Sequence, residues 1–267
     1  MADTVLATDA YGTATIYCQL APLDLFKVDG VAVRKRQMSA ADEAAIPARG
    51  VITIDNEQYL VGTGTPDFYR GQVIRRNYVI QGADGLANLH SISGALNSTA
   101  PVQAYVAKVF AKYLPDEANS SKYPPQYQIF LAGSENAPED SLIELSSEWF
   151  LIKESYVSTS GLRIALANRL DAPIFETVTF GDRAYNPVTD AYTSSTSSIK
   201  ILRVKWTEHY TYLSIGTEKY QSGDEQVFML KSVTPVAPDT LTLSDGAWRI
   251  LAVQDETTHW SCHVRRA

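Results

Sequence analysis

The chain has 267 residues, of which 45% are hydrophobic and 20% charged, and its formal charge is −7. It is longer than one typical domain of ~100–150 residues, and its apolar content and modest charge exclude a disordered chain. An acidic balance argues against a general nucleic-acid binder, no apolar run approaches the ~20 residues of a membrane span, and Met1-Ala-Asp-Thr-Val lacks the basic-then-apolar start of a leader.

Tyr (15), Phe (8) and Trp (4) join many Val, Ile and Thr, a balance that suits pleated, half-buried strands. In chain order, Val33-Arg34-Lys35-Arg36 reads as a strand with Arg34 and Arg36 on one face. Ser39 to Ile46 reads as a short helix, with Ser39 and Asp42 in a capping arrangement. Val51–Ile54, Asp55-Asn56-Glu57 and Tyr59–Val61 outline two strands and a turn. Gly62-Thr63-Gly64 lacks the third glycine and the lysine of a phosphate loop, so a turn with positive φ accounts for it better. Arg70, Arg75 and Arg76 flank Gly71–Ile74 and, with Arg34 and Arg36, make the first part locally basic. Arginine forks suit carboxylate and phosphate, so these five are candidates for contact with an acidic partner or a DNA end; solvated strand edges are the plainer account.

Val102, Tyr105, Val106, Val109, Phe110 and Tyr113 fall at helical spacing. Their counterpart further on, Ile199 to Trp206, alternates and is β-branched, and the strand reading is preferred for both. Ile143–Leu145, Ser146-Ser147-Glu148 and Trp149–Ile152 outline a second hairpin, with a shorter turn. Glu139-Asp140 and Asp116-Glu117 read as solvated turns, since sequence neighbours do not converge across a cleft for acid–base work. Residues 181–198, polar and rich in Ser and Thr, are too long for a hairpin turn and read as a loop. Leu241–Leu243, Ser244-Asp245-Gly246 and Trp248–Leu251 outline the third hairpin. In His259-Trp260-Ser261-Cys262-His263, strand alternation separates Cys262 from the two histidines, which leaves no zinc set. Cys18 and Cys262 read as reduced thiols of a protein made in a cytosol. No cofactor motif and no convergent acid, base and nucleophile emerge, so a non-enzymatic role is expected.

The three hairpins repeat one outline. A proline lies upstream (Pro47, Pro138, Pro238), an aromatic opens the second strand (Tyr59, Trp149, Trp248), and a later strand ends in arginine. The aromatics stand 90 and 99 positions apart, too far for a solenoid repeat of ~20–50 residues, so the repeat unit is a small domain. The expected fold is all-β: tandem small antiparallel β-barrel or sandwich domains with at most short helices, spanning residues 1–85, 86–171 and 172–267.

The run through Pro101-Val102, Val106, Tyr113, Tyr127–Ala132, Pro138–Asp140, Ile143–Leu145, Trp149–Ile152 and Leu166–Arg169 resembles head-closure (stopper) proteins of the tailed-bacteriophage head–tail connector. The last unit, through Tyr185–Thr189, Gly223-Asp224, Pro238-Asp239 and Trp248–Ile250, is similar to the same pattern. The resemblance implies a structural protein of the virion neck, assembled in the host bacterial cytoplasm. It would form a ring of six or twelve copies between a portal or adaptor protein and a tail protein, close the head after packaging, touch packaged DNA transiently, and need no cofactor or membrane. The gate of such a ring would be the 181–198 loop, with Tyr185, Asn186, Pro187, Asp190 and Tyr192 as candidate channel residues. Three units where a simple stopper has one leave open another tail component, such as a tail-completion or tail-tube-like part. A sugar- or protein-binding array of β modules is the reading from outside the virion.

Overall fold

The computed structural model describes residues 3–11, 15–21, 24–28, 31–41, 46–47, 49–110, 127–186, 188, 191–205, 214–215, 218–219, 223–236 and 239–267. The fold is all-β: three small antiparallel barrels of six strands each, two in one compact unit and the third in a second unit.

The first barrel uses β1 (Asp3–Asp9), β2 (Thr15–Leu20), β4 (Val31–Ala41), β5 (Val51–Ile54), β6 (Glu57–Val61) and β8 (Gln72–Gly82). Their order is β4-β2-β1-β5-β6-β8, and pairing of β4 with β8 closes the ring. Two short strands lie outside it, β3 (Asp24–Val28) on β4 and β7 (Thr65–Tyr69) on β8. Alternation sets the core: on β2, Ile16, Cys18 and Leu20 point inward while Thr15, Tyr17 and Gln19 face out. Met38, Ile52, Ile54, Tyr59 and Ile80 complete the interior.

The second barrel uses β9 (Gly85–Ser91), β10 (Val102–Phe110), β11 (Tyr127–Leu131), β12 (Ser141–Leu145), β13 (Glu148–Val157) and the first part of β14 (Arg163–Asn186). It closes through β11 and β14, in the register Tyr127↔Ala167 to Leu131↔Arg163. The third barrel takes the rest of β14 with β15 (Ala191–Lys205), β18 (Glu225–Leu230), β19 (Thr240–Leu243), β20 (Gly246–Asp255) and β21 (His259–Arg266); β16 (Ser214–Ile215) and β17 (Glu218–Lys219) pair apart from it. Its core gathers Val178, Phe180, Ile201, Val227, Met229 and Trp248.

One topology recurs in all three. Each barrel is two successive three-stranded meanders whose first strands pair (β1–β5, β9–β12, β14–β19) and whose last strands pair (β4–β8, β11–β14, β18–β21). Closure leaves little unpaired edge. The single long strand β14 ends one barrel and begins the next.

The three hairpins are the starts of the second meanders, and all have two-residue turns, with Ile54↔Glu57, Leu145↔Glu148 and Leu243↔Gly246 as the last rungs. Asp55 and Asn56 (φ 51° and 65°) and Ser146 and Ser147 (φ 50° and 70°) take the left-handed conformation that such turns require. This corrects the aromatic repeat. The residues opposite Ile52, Ile143 and Leu241 are Tyr59, Phe150 and Trp248, so Phe150, not Trp149, fills the equivalent place.

Other expectations change with the tertiary context. Ser39 to Ala41 end strand β4 rather than open a helix, and the Ser39 hydroxyl donates to Asn77 Oδ1 at 2.6 Å instead of capping; residues 42–45 lie outside the described set. The helix among the described residues is α1 (Ile92–Leu96), whose first turn is capped by Ser91 Oγ accepting from Gly94 N–H at 2.9 Å. Residues 102–110 form a strand, and the helix-like pattern has a physical cause. Ala104 and Val106 fill the barrel interior, while Tyr105, Ala107 and Val109 on the other face pack where the first two barrels meet. With both faces apolar, the period of two disappears from the sequence.

The stretch 181–198 is not a loop. Gly181–Asn186 and Ala191–Thr196 pair as one ribbon, through Tyr185↔Tyr192 to Asn186↔Ala191. β19 lets go of β14 at Gly181 and β18 engages β15 only from Ile201, so among the described residues the outer five rungs, roughly 17 Å, pair only with each other.

Candidate functional site

The ribbon is the most distinctive projection of the third barrel. Its turn residue Val188 is 91% exposed. Tyr185 and Tyr192 stand directly across from one another and Asn186 occupies the last rung, whereas Pro187 and Asp190 lie outside the described residues.

The candidate arginines whose side chains are described, Arg36, Arg70, Arg75 and Arg76, do not form one patch. Arg36 pairs with Ile80 and Arg75 with Ala41, five residues further along β4, or about 16 Å. Arg36 and Arg76 follow the strand parity of the inward-facing Met38 and Ala40, and Arg75 the outward parity. Arg75 Nε is spent on Asp67 at 2.8 Å, Arg70 lies over the Tyr69 ring at 5.3 Å, and Arg36 has a buried Nε without a hydrogen-bond partner. Arg34 belongs to β4 by its backbone register with Leu25.

Where the first two barrels meet, the sequence hid a built joint. Arg49 lays its guanidinium 3.8 Å from the Tyr11 ring centre, donates from Nε to Glu135 Oε1 at 2.8 Å, and donates from Nη2 to the Gln103 carbonyl. The Tyr11 hydroxyl accepts from Tyr105 N–H at 3.0 Å, and burial raises its pKa. Thr63 N–H donates to the Ser160 carbonyl at 2.6 Å. Neither glycine of the 62–64 stretch takes a positive φ: Gly62 serves this approach, since a Cβ there would sit 2.1 Å from the Ser160 oxygen, and Gly64 makes room for the Tyr78 ring, 2.5 Å from where its Cβ would lie. Below these contacts lie Val51, Leu60, Val109, Phe130 and Leu162.

A buried charge cluster lies in the third barrel. Arg203, 2% exposed, donates to Glu225 and, from Nη1 and Nη2, to Asp245 at 3.1 and 2.8 Å. It also stands 4.7 Å from the Trp248 ring centre and 3.6 Å from Glu176. A guanidinium taken from water needs such partners. The Arg203 hydrogen bond holds the Asp245 carboxyl down at about 2, and Asp245 in turn accepts from Trp248 Nε1 at 2.9 Å. The second cluster joins Asp224 to His263 Nε2 at 2.7 Å and to Arg265 Nε and Nη2 at 2.7 and 2.8 Å.

Ser261 stands two positions from His263, which meets Asp224, but Ser261 is 1% exposed, its hydroxyl accepts from Gln226, and His263 is fully buried. The set ties strands β18 and β21 together and offers no surface to a substrate. Cys18 and Cys262 are buried thiols outside any disulfide, and burial raises their pKa values, the opposite of an activated nucleophile. Asp140 sits in a turn at φ 57°, its pKa raised by burial against the pull of Lys153. Among the described residues, no group of three or more His, Cys, Asp or Glu is placed to hold a metal ion. Among the described residues, no helix is long and apolar enough to cross a membrane.

Compared with protein-family models, curated proteins and solved structures, the chain matches none.

Proposed function

We propose that this chain is a structural protein of a tailed-phage neck, a ring subunit between the portal or adaptor and the tail that closes the head after packaging and presents the tail-docking surface. The observation that carries the reading is the tandem repetition of one closed barrel topology, with a two-stranded ribbon extending beyond the last copy. Closed barrels make rigid blocks with few loose edges, and blocks of that kind form rings through head-to-tail contacts. In this reading the chain catalyses nothing. The ribbon takes the place expected of a gating loop, with Tyr185, Asn186 and Tyr192 near its tip, and its contact with packaged DNA is transient.

Deleting the gene in the phage that encodes the chain tests the reading. The expected product is a mixture of DNA-filled or leaking heads and free, complete tails. Particles with normal, joined tails contradict it, and incomplete tails transfer the chain to the tail instead.

A further inference from the structure

Strand register places Leu20, Lys108 and Arg203 at the same point of the three barrels. Each lies on the middle strand of a first meander, opposite a residue of that meander's last strand: Leu20↔Met38, Lys108↔Ile129 and Arg203↔Val227. Met38, Ile129 and Val227 all belong to barrel cores, and directly paired residues share a face of the sheet, so the three partners have inward parity. An inward place in a small barrel is filled by packed side chains, and Leu20, 5% exposed, obeys that rule. The second and third barrels put a cation there.

What the two cations meet is repeated as well. Lys108 Nζ stands 5.3 Å from the Phe150 ring centre and donates to Glu148. Arg203 stands 4.7 Å from the Trp248 ring centre and donates to Asp245. Phe150 and Trp248 hold the same place in their hairpins, and both cations lie within the ~6 Å at which a ring face attracts charge. Glu148 is the first residue after its turn; in the third barrel Gly246 takes that place and the acid comes one position earlier. In the first barrel Glu57 follows the turn, but with Leu20 in the cation's place it accepts instead from the Tyr59 hydroxyl at 2.7 Å, within its own hairpin. The strands β10 and β13 are not neighbours in the sheet, nor are β15 and β20. The cation contacts therefore join the two meanders of a barrel through side chains alone.

We propose that this cation is a latch built into the last two barrels. It holds the ring and the acid of the second hairpin against the first meander and keeps the turn end of the barrel from opening. The first barrel closes the equivalent end by apolar contact, since Leu20 and Tyr59 both lie in its core. The latch is independent of the neck reading.

Hydrogen exchange on the full chain, resolved by segment, tests it. Lys108→Ala, Glu148→Ala and the double variant are compared with wild type; these side chains are only partly buried, so their loss spares the core. Each single variant is expected to speed exchange in the β12–β13 hairpin about fivefold or more through local opening, and the double variant no more than either single one, because each removes the same contact. The β5–β6 hairpin of the first barrel should keep its wild-type rates. Asp245→Ala should do to β19–β20 what Glu148→Ala does to β12–β13. Unchanged exchange in the latched hairpins overturns the proposal. So does a double variant whose effect is the product of the two single ones, or an increase spread evenly over all three barrels.

Discussion

Phe150 lies fully buried opposite Ile143, while Trp149 beside it faces the other side of the strand. Phe150→Ala should therefore cost about 3–5 kcal/mol, and Trp149→Ala much less. Denaturant unfolding of the two variants checks the corrected register; equal losses would restore the Trp149 alignment. Asp245 carries the pH prediction. Its folded pKa of about 2 lies below the ordinary 3.8, so its contribution is complete above pH 3.8 and is lost as pH falls toward 2. Asp245→Asn should flatten the wild-type fall in thermal midpoint over that window, and parallel curves would show that Arg203 does not hold the carboxylate. The turn residues were the most legible feature of the chain, since Asp-Asn, Ser-Ser and Ser-Asp have few other uses between apolar runs. The partners of Arg49 and Arg203 were not legible: Glu135 is 86 positions from Arg49 and Asp245 42 from Arg203.

Two glycines separate backbone strain from packing at the scale of elements. Gly71 and Gly161 share a left-handed φ (81° and 78°), but a Cβ on Gly71 meets nothing within 4 Å, whereas one on Gly161 would lie 1.8 Å from Thr63 Oγ1. Gly71→Ala should cost only the roughly 1–2 kcal/mol of the conformation itself. Gly161→Ala should cost clearly more, because the turn it occupies must back away from Thr63. Equal midpoints for the two variants in denaturant would show that the joint is not tight. The ribbon makes the converse case. Replacing residues 182–195 by a two-residue Asn-Gly turn removes rungs beyond the barrel and spares Val178, Phe180 and Ile201, so the thermal midpoint should move little. A collapse of the fold would make the ribbon part of the core. Sequence patterning missed the ribbon because, with neither face required to be apolar, its strands show no alternation. The helical spacing within 102–110, set aside for the strand that forms, has the opposite cause, both faces being covered.

The architecture of the whole molecule was readable in outline from composition and from three hairpins. The shared use of β14 and the order of closure were not, because pairings such as β4–β8 and β18–β21 join residues about 30 to 45 positions apart, and no local pattern records them. One topology in three successive copies makes a chain of closed, stiff blocks, and stiffness is what the proposed ring subunit requires. Electron microscopy of intact particles labelled with antibody against this chain tests that claim most directly. The account predicts label confined to the collar between head and tail; label on the capsid shell, along the tail or at its tip would contradict it.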